Sequence, residues 1–356
     1  MNPSNNPSPR IAVVGAGAVG GWVGGKLAQA GFDVTLIDPW PEHVSAMQER
    51  GIILTESGRD ARIPLRALHI GQVQSLYKDP IDLAFVCVKL YDTGWAAELI
   101  APYLSASGYI VTLQNSLVEE RIAAVVGWGR TVGCVGGGMY VGLDGPGHVA
   151  RTRHQGKSAS QIFYAGEAHG RVTPRVRQLA KMLSHVDAAG YTTNLWGLRW
   201  SKLVANAMTS ALCAACGLSL KGIFSEPESR QLMLRLAGEA IDVGKALGYT
   251  VEPVFGVAAD RWMAAAAGDA QCLVDVEAAF HAQAEVLTEA SLSGTAQDIA
   301  KGRRTEIDYM NGYVFARAIE LGINTPTHVA LTTLIKKMER GQACPGKESM
   351  GLLWAE

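Results

Sequence analysis

Cysteine is scarce in this chain: six in 356 residues, at Cys87, Cys134, Cys213, Cys216, Cys272 and Cys344. So few thiols cannot form the staple framework of a small secreted domain, and with no secretory signal ahead of them, reduced thiols in a cytoplasmic protein are expected. An excess of one charge sign is also missing. The 32 Lys plus Arg and 33 Asp plus Glu leave a formal net charge of −1, which offers no global field to attract nucleic acid or an anionic membrane. No uninterrupted apolar run approaches the roughly 18 residues of a membrane helix. The eight histidines show no HExxH or comparable spacing, so no metal is expected. What remains is a soluble protein with a small-molecule partner.

Glycine is what the chain has in excess, 40 of 356 residues, where about 7% is usual. With 48% hydrophobic residues the chain is neither collagen-like nor disordered, and its length suggests two domains. From Ile11 to about Thr192 short β-branched runs alternate with helical stretches, the pattern of βαβ units around a largely parallel sheet. The clearest strands are Ile11 to Val14, Asp33 to Asp38, Asp82 to Val88 and Tyr109 to Gln114. After Arg130 come glycine-rich strands separated by the turn-forming Asp144 to Gly147, which read as antiparallel extensions of that sheet. Beyond Thr192 Ala- and Leu-rich helical patterns take over. The reading is a flexible tail at 1–10, a dinucleotide-binding domain at 11–192 and a helical domain, for substrate and dimerisation, at 193–356. Within the last, 253–293 reads as helices with a loop near Gly268.

Gly15-Ala16-Gly17-Ala18-Val19-Gly20 follows the first strand and opens a helix. In a GxGxxG turn the first glycine permits the tight bend, the second lets the backbone approach a pyrophosphate, and the third allows close helix–strand packing. The helix N-terminus adds free N–H groups and a positive dipole end. Asp38 closes the next strand, where an acid accepts a ribose 2′-hydroxyl and repels a 2′-phosphate, so NAD(H) is favoured and NADP(H) is second. Asp38 also reads as a turn residue before Pro39. Lys89 and Asn115 end two further strands, at the edge where open α/β sheets bind ligands; each has a bland reading as a solvated lysine or a turn-forming asparagine. Lys202, Asn206 and Ser210 fall at i, i+4 and i+8 on one face of a helix otherwise rich in Leu, Val, Ala and Met, a cleft wall or an ordinary solvated face.

With GAGAVG, Lys89, LQN at Asn115, KLVAN at Lys202 to Asn206, and QDIAKGRRTEIDYMNG from Gln297 to Gly312 in that order, the sequence resembles the ketopantoate reductase (2-dehydropantoate 2-reductase) family from Ile11 to about Arg340. The resemblance implies an α/β fold: an N-terminal Rossmann domain joined to an all-α C-terminal domain of the 6-phosphogluconate dehydrogenase C-terminal type. It also implies hydride transfer between NAD(P)H and the carbonyl of a 2-keto acid. Carried over by motif, Lys202 is the proton donor, Glu306 reaches the cofactor and the Lys202 region, Asn206 binds substrate, and Asn115 contacts substrate and cofactor. Gly15 to Gly20, Asp38 and Lys89 bind cofactor. Such a family member is compatible with a homodimer.

Four positions depart from the family pattern. Ser210 stands where the family usually has Asn, Gly294 where it has a substrate-binding Ser, and Ser116 where it has Gly. Asp38 replaces the usual basic residue near the end of the second strand. Smaller groups at 210 and 294 remove hydrogen-bond partners and open space, which points to another 2-keto or 2-hydroxy acid, bulkier than ketopantoate; neighbouring Ser293 or Thr295 are candidates to compensate. Alternatives are a non-catalytic NAD(H) sensor and an opine or 3-hydroxyacyl dehydrogenase on a related scaffold. Cys213 and Cys216 read as small packing residues, His43 as a loop residue, and Trp196, Trp200 and Trp262 as core or dimer-interface packing.

Overall fold

The computed structural model describes residues 8–151 and 161–354. The expected tail lies outside them up to residue 7, and Arg10 already belongs to a strand. By contacts the chain divides into two compact units, Met1–Leu195 and Trp196–Glu356.

In the first unit the elements run β1 (Arg10–Val14), α1 (Ala18–Gln29), β2 (Asp33–Asp38), α2 (Pro41–Arg50), β3 (Ile52–Glu56), β4 (Arg59–Ile63), β5 (Arg66–His69), β6 (Ile81–Val86), α3 (Thr93–Ile100), β7 (Leu104–Thr112), α4 (Glu119–Val126), β8 (Thr131–Gly136), β9 (Val141–Gly145), β10 (His148–Arg151), β11 (Phe163–Gly166), α5 (Pro174–Leu183) and β12 (Ala189–Tyr191). Eight strands form one sheet in the order β12-β11-β8-β7-β6-β1-β2-β5. It is parallel except where β11 meets β8. Strands buried on both faces read as continuous apolar runs, and β1 shows why. Ile11 and Val13 enter one apolar cluster with Leu83, Phe85 and Val111, while Ala12 and Val14 enter the other with Ala84, Val86 and Ile110.

The glycine-rich strands do not all extend this sheet as expected. β9 and β10 instead join β3 and β4 in a separate four-stranded sheet, order β4-β3-β10-β9, because β10 pairs in parallel with β3. That small sheet explains the glycines of α1. A Cβ on Gly24 would press on Leu36 and Val13 of the main sheet, whereas one on Gly21 or Gly25 would press on Val149, Ile52 and Leu54 of the small one. The helix is wedged between two sheets, and only glycine at these positions admits so close an approach.

The second unit is helical: α6 (Leu195–Cys216, starting one residue before the division), α7 (Leu220–Ser225), α8 (Pro227–Ala246), α9 (Ala259–Ala266), α10 (Ala270–Val286), α11 (Gly294–Ala300), α12 (Asn311–Leu321), α13 (Pro326–Glu339) and α14 (Lys347–Gly351). Gly268, with φ at +97°, makes the break between α9 and α10. Trp200 and Trp262 are fully buried, their indole N–H groups donating to Ala240 O at 2.8 Å and Val254 O at 3.1 Å. Both belong to the core rather than to an exposed interface. Trp196 stacks on Tyr249. Among the described residues no helix is long and apolar enough to cross a membrane, and no cluster of His, Cys, Asp or Glu could hold a metal.

Candidate active site

The candidate region in the first unit is made of backbone. Gly15 bends at φ +92°, and a Cβ there would stand 2.8 Å from Val88 N, so the turn lies directly beside the loop that follows β6. A Cβ on Gly20 would collide with the Gly15 carbonyl. Gly17, Ala18 and Val19 are half-exposed between buried neighbours, and a Cβ on Gly17 would meet nothing within 4 Å. The turn therefore presents open space in front of the first N–H groups of a 12-residue helix, which fits a dinucleotide pyrophosphate.

Asp38 ends β2 as expected. Its carboxylate accepts the Ala16 N–H at 2.8 Å and the Trp40 N–H at 3.0 Å, so the same side chain braces the turn and stands at the ribose position of the fingerprint. Each carboxylate oxygen has a second lone pair left for a hydroxyl. Lys89 and Asn115 are placed slightly differently from expectation. β6 stops at Val86 and β7 at Thr112, so both residues sit in the loops beyond. The ladder gives way there because the Gln114 side chain takes over, donating to Val88 O at 2.8 Å and Thr93 Oγ1 at 2.9 Å. These bonds hold the two half-exposed residues on adjacent loops at the carboxyl edge of the sheet. Ser116 follows at φ +59°, a left-handed conformation that costs a residue with a side chain on the order of 1 kcal/mol. Glycine fits this position without that cost.

The candidate region in the second unit is made of side chains on α6. From Arg199 to Cys216 every position is buried except Lys202, Ala205, Asn206 and Ser210, one line three to four residues apart. An ordinary solvated face would be wider; this is a narrow polar slot in a helix packed on its other sides. Ser210 Oγ shares a hydrogen bond with Thr295 Oγ1 at 3.0 Å, and Ser293 Oγ donates to the Ser210 carbonyl at 2.7 Å while accepting the Ala296 N–H at 3.1 Å. Exposed Gly294 lies between them, with nothing within 4 Å of where its Cβ would be. The two hydroxyl residues flanking Gly294 thus approach Ser210, and the glycine leaves a gap.

Glu306 is half-buried just before a 3-10 turn at Ile307–Tyr309. Its segment is tied down on both sides. Thr305 donates N–H and Oγ1–H to Glu339 at 2.8 and 2.6 Å, and buried Asn311 donates to the Ala207 carbonyl of α6 at 2.8 Å. Asn311 also donates to His328 Nδ1 at 3.2 Å, while His328 Nε2 donates to Leu236 O at 3.0 Å. Burial pushes the His328 imidazole down to about 4, so it is neutral and structural. Burial likewise pushes the Cys216 thiol up to about 12, as befits a packing residue.

His43 was missed as a site residue. It is not in a loop but buried in α2, against the turn. Its partners are backbone groups far along the chain, so no motif marks it.

A nucleotide-binding turn on a parallel sheet, joined to a helical unit with an ammonium–amide–hydroxyl line, defines a dinucleotide-dependent oxidoreductase fold. The family signature "Ketopantoate reductase PanE/ApbA" matches residues 11–165 and its C-terminal counterpart residues 194–339. The chain belongs to this ketopantoate reductase family. A 2-dehydropantoate 2-reductase of Archaeoglobus fulgidus is 25% identical over 339 residues, covering 93% of this chain and 98% of the relative. The crystal structure of a PanE/ApbA family ketopantoate reductase from Ralstonia eutropha superposes with a TM-score of 0.76 at 28% identity, covering 94% and 99% of the two chains. A D-mandelate dehydrogenase, solved with NADH and anilino(oxo)acetate, shares the fold with a TM-score of 0.78 at 21% identity over 94% and 99%.

Proposed function

We propose that this chain is an NAD(H)-dependent oxidoreductase acting on a 2-keto acid bulkier than ketopantoate, or on the corresponding 2-hydroxy acid, with Lys202 as proton donor. The observation that carries the reading is the narrow half-buried line Lys202–Asn206–Ser210 on a helix whose other positions from Arg199 to Cys216, Ala205 apart, are buried.

The cofactor would be held by Gly15, Ala16, Gly17, Ala18, Val19 and Gly20 at the pyrophosphate, by Asp38 at the adenosine ribose, and by Lys89 and Asn115 on the neighbouring loops; Glu306 is assigned to cofactor binding by its family motif. When bound, the nicotinamide ring supplies or takes the hydride at the carbonyl carbon. The rest falls to side chains of this chain. As negative charge develops on the carbonyl oxygen, the Lys202 ammonium stabilises it and gives it a proton, and the Asn206 amide N–H donates a second hydrogen bond. Ser210 and Thr295, already hydrogen-bonded to each other, offer hydroxyls to the substrate carboxylate. Asp38 supports NAD(H) over NADP(H), since a carboxylate repels a 2′-phosphate.

Gly294 supports the larger substrate, because the space a serine side chain would fill is open. The D-mandelate dehydrogenase of the same fold takes an aryl-bearing ligand, which makes phenylglyoxylate the natural probe. The test is a kcat/KM comparison of phenylglyoxylate, phenylpyruvate and ketopantoate with NADH and NADPH. NADH with an aryl keto acid should give the highest value. A clear preference for ketopantoate with NADPH would overturn both the substrate and the cofactor assignment.

A further inference from the structure

We propose that His43 is a positioning residue for dinucleotide binding: it orients the Ala16–Gly17 peptide so that the Gly17 N–H faces the pyrophosphate. The inference rests on the dinucleotide-binding reading of the turn and adds to it a residue outside the glycine motif.

His43 is 1% exposed on α2, and Trp40 covers its ring face to face, with centroids 5.4 Å apart and planes at 5°. The Gly147 N–H donates to Nδ1 at 2.8 Å. Nδ1 is therefore the acceptor and Nε2 carries the hydrogen, which it donates to the Ala16 carbonyl at 2.9 Å. A trans peptide is planar, with its C=O and N–H pointing in opposite directions. Holding the Ala16 oxygen towards His43 therefore turns the Gly17 N–H the other way. A Cβ on Gly17 would meet nothing within 4 Å, so the residue borders open space, and among the described residues the Gly17 N–H has no acceptor. The preceding groups are fixed as well, Gly15 N–H by Ile37 O at 2.9 Å and Ala16 N–H by Asp38. His43 completes the set by restraining the peptide whose rotation would withdraw the Gly17 donor from the ligand.

The Asp144 to Gly147 turn gains a role from this arrangement. Its Gly147 selects the tautomer of His43, and the turn is itself anchored by Arg50 Nη2 donating to Pro146 O at 2.9 Å and Ile53 N–H donating to Gly147 O at 2.8 Å. The chain from Gly147 through His43 to Ala16 is a preorganising brace, of the kind that lowers the ordering cost of binding.

The experiment measures equilibrium binding of NADH, ADP-ribose and adenosine to the purified full chain and to His43→Leu, His43→Asn and His43→Gln. Leucine removes both hydrogen bonds. Asparagine can keep an acceptor near the Nδ1 position but has no donor at Nε2, whereas the glutamine amide reaches the Nε2 position. Leucine and asparagine should weaken NADH and ADP-ribose at least tenfold and leave adenosine, which has no pyrophosphate, within twofold. Glutamine should recover NADH to within threefold of the parent. At saturating NADH, kcat should stay within twofold for every variant. NADH binding within twofold of the parent in the asparagine variant, equal weakening of adenosine, or no recovery by glutamine at an unchanged melting temperature would each overturn the assignment. Should leucine fail to fold, the asparagine and glutamine pair decides. A parent chain that binds neither NADH nor ADP-ribose overturns the dinucleotide reading itself, whatever the variants do.

Discussion

The two candidate regions are built from different materials. In the first unit the groups proposed to meet a ligand are main-chain N–H donors at a glycine turn, with Asp38 and His43 bonded to that backbone. In the second unit the proposed groups are side chains, Lys202, Asn206 and Ser210, on a regular helix. Backbone donors survive every substitution but proline and can be misdirected; side-chain donors can be deleted outright. Damage to the first part should therefore appear in cofactor affinity, and damage to the second in turnover.

The strongest test of that contrast is Lys202→Ala. Removing a general acid typically costs about 10²–10⁴-fold, so steady-state assays should show kcat falling by that order while the NADH dissociation constant stays within twofold. Retained turnover would erase the division of labour.

Acid should separate the two units next. Burial pushes the His328 imidazole down to about 4 from its ordinary 6.5. Its contribution is complete above pH 6.5 and is lost as pH falls towards 4, a difference on the order of 3 kcal/mol at about 1.4 kcal/mol per pH unit. The buried carboxylate of the first unit behaves differently. Burial alone would raise Glu167, but hydrogen bonds from Arg175 and Thr173 hold it below its ordinary 4.5, so its stabilisation persists above pH 4.5 and fades only as pH falls through its lowered value. Glu239, raised by burial, opposes the histidine at the lower end of the window. Comparing melting curves of the parent and His328→Gln from pH 7 to pH 4.5 isolates the histidine: the parent should lose stability faster, and parallel slopes would refute its role.

Asp38→Arg should move the NADPH-to-NADH preference by roughly tenfold, a free-energy change of about 1.4 kcal/mol. It should also weaken NADH itself, because the Ala16 N–H loses its acceptor. Competitive binding of the two cofactors reads both effects. The smallest change is expected from Gly294→Ser, which fills the gap beside Ser210: KM for an aryl keto acid should rise a few-fold with kcat unchanged, in line with about 1 kcal/mol for a modest steric change in a pocket. An unchanged KM would remove Gly294 from the substrate wall.

Legibility in the sequence followed the same division. The turn from Gly15 to Gly20 and the strand ending at Asp38 were readable because their chemistry is local: a glycine pattern, an apolar run, an acid at a fixed distance. The role of Lys202 was not readable from spacing, since a polar line on a helix is compatible with plain solvation; only the order of motifs along the chain singled it out. β3, β4 and β5 escaped notice because residues 52–69 are interrupted by charge, and β3 is completed by β10, with Ile53 opposite His148. His43 escaped for a related reason: its partners lie 27 and 104 residues away and are backbone atoms, which no side-chain motif can reveal.

The small sheet over α1 also sets a timetable. β3 and β4 are made well before β10, but a lone two-stranded hairpin is marginal in water, and β10 is not complete until Arg151. At about 5–20 residues per second of synthesis, the outer face of α1 waits on the order of ten seconds for its cover. A nascent chain arrested before residue 148 should therefore leave α1 open to protease, and the glycine turn, though encoded before β3 and β10, should be among the last parts of its unit to become rigid.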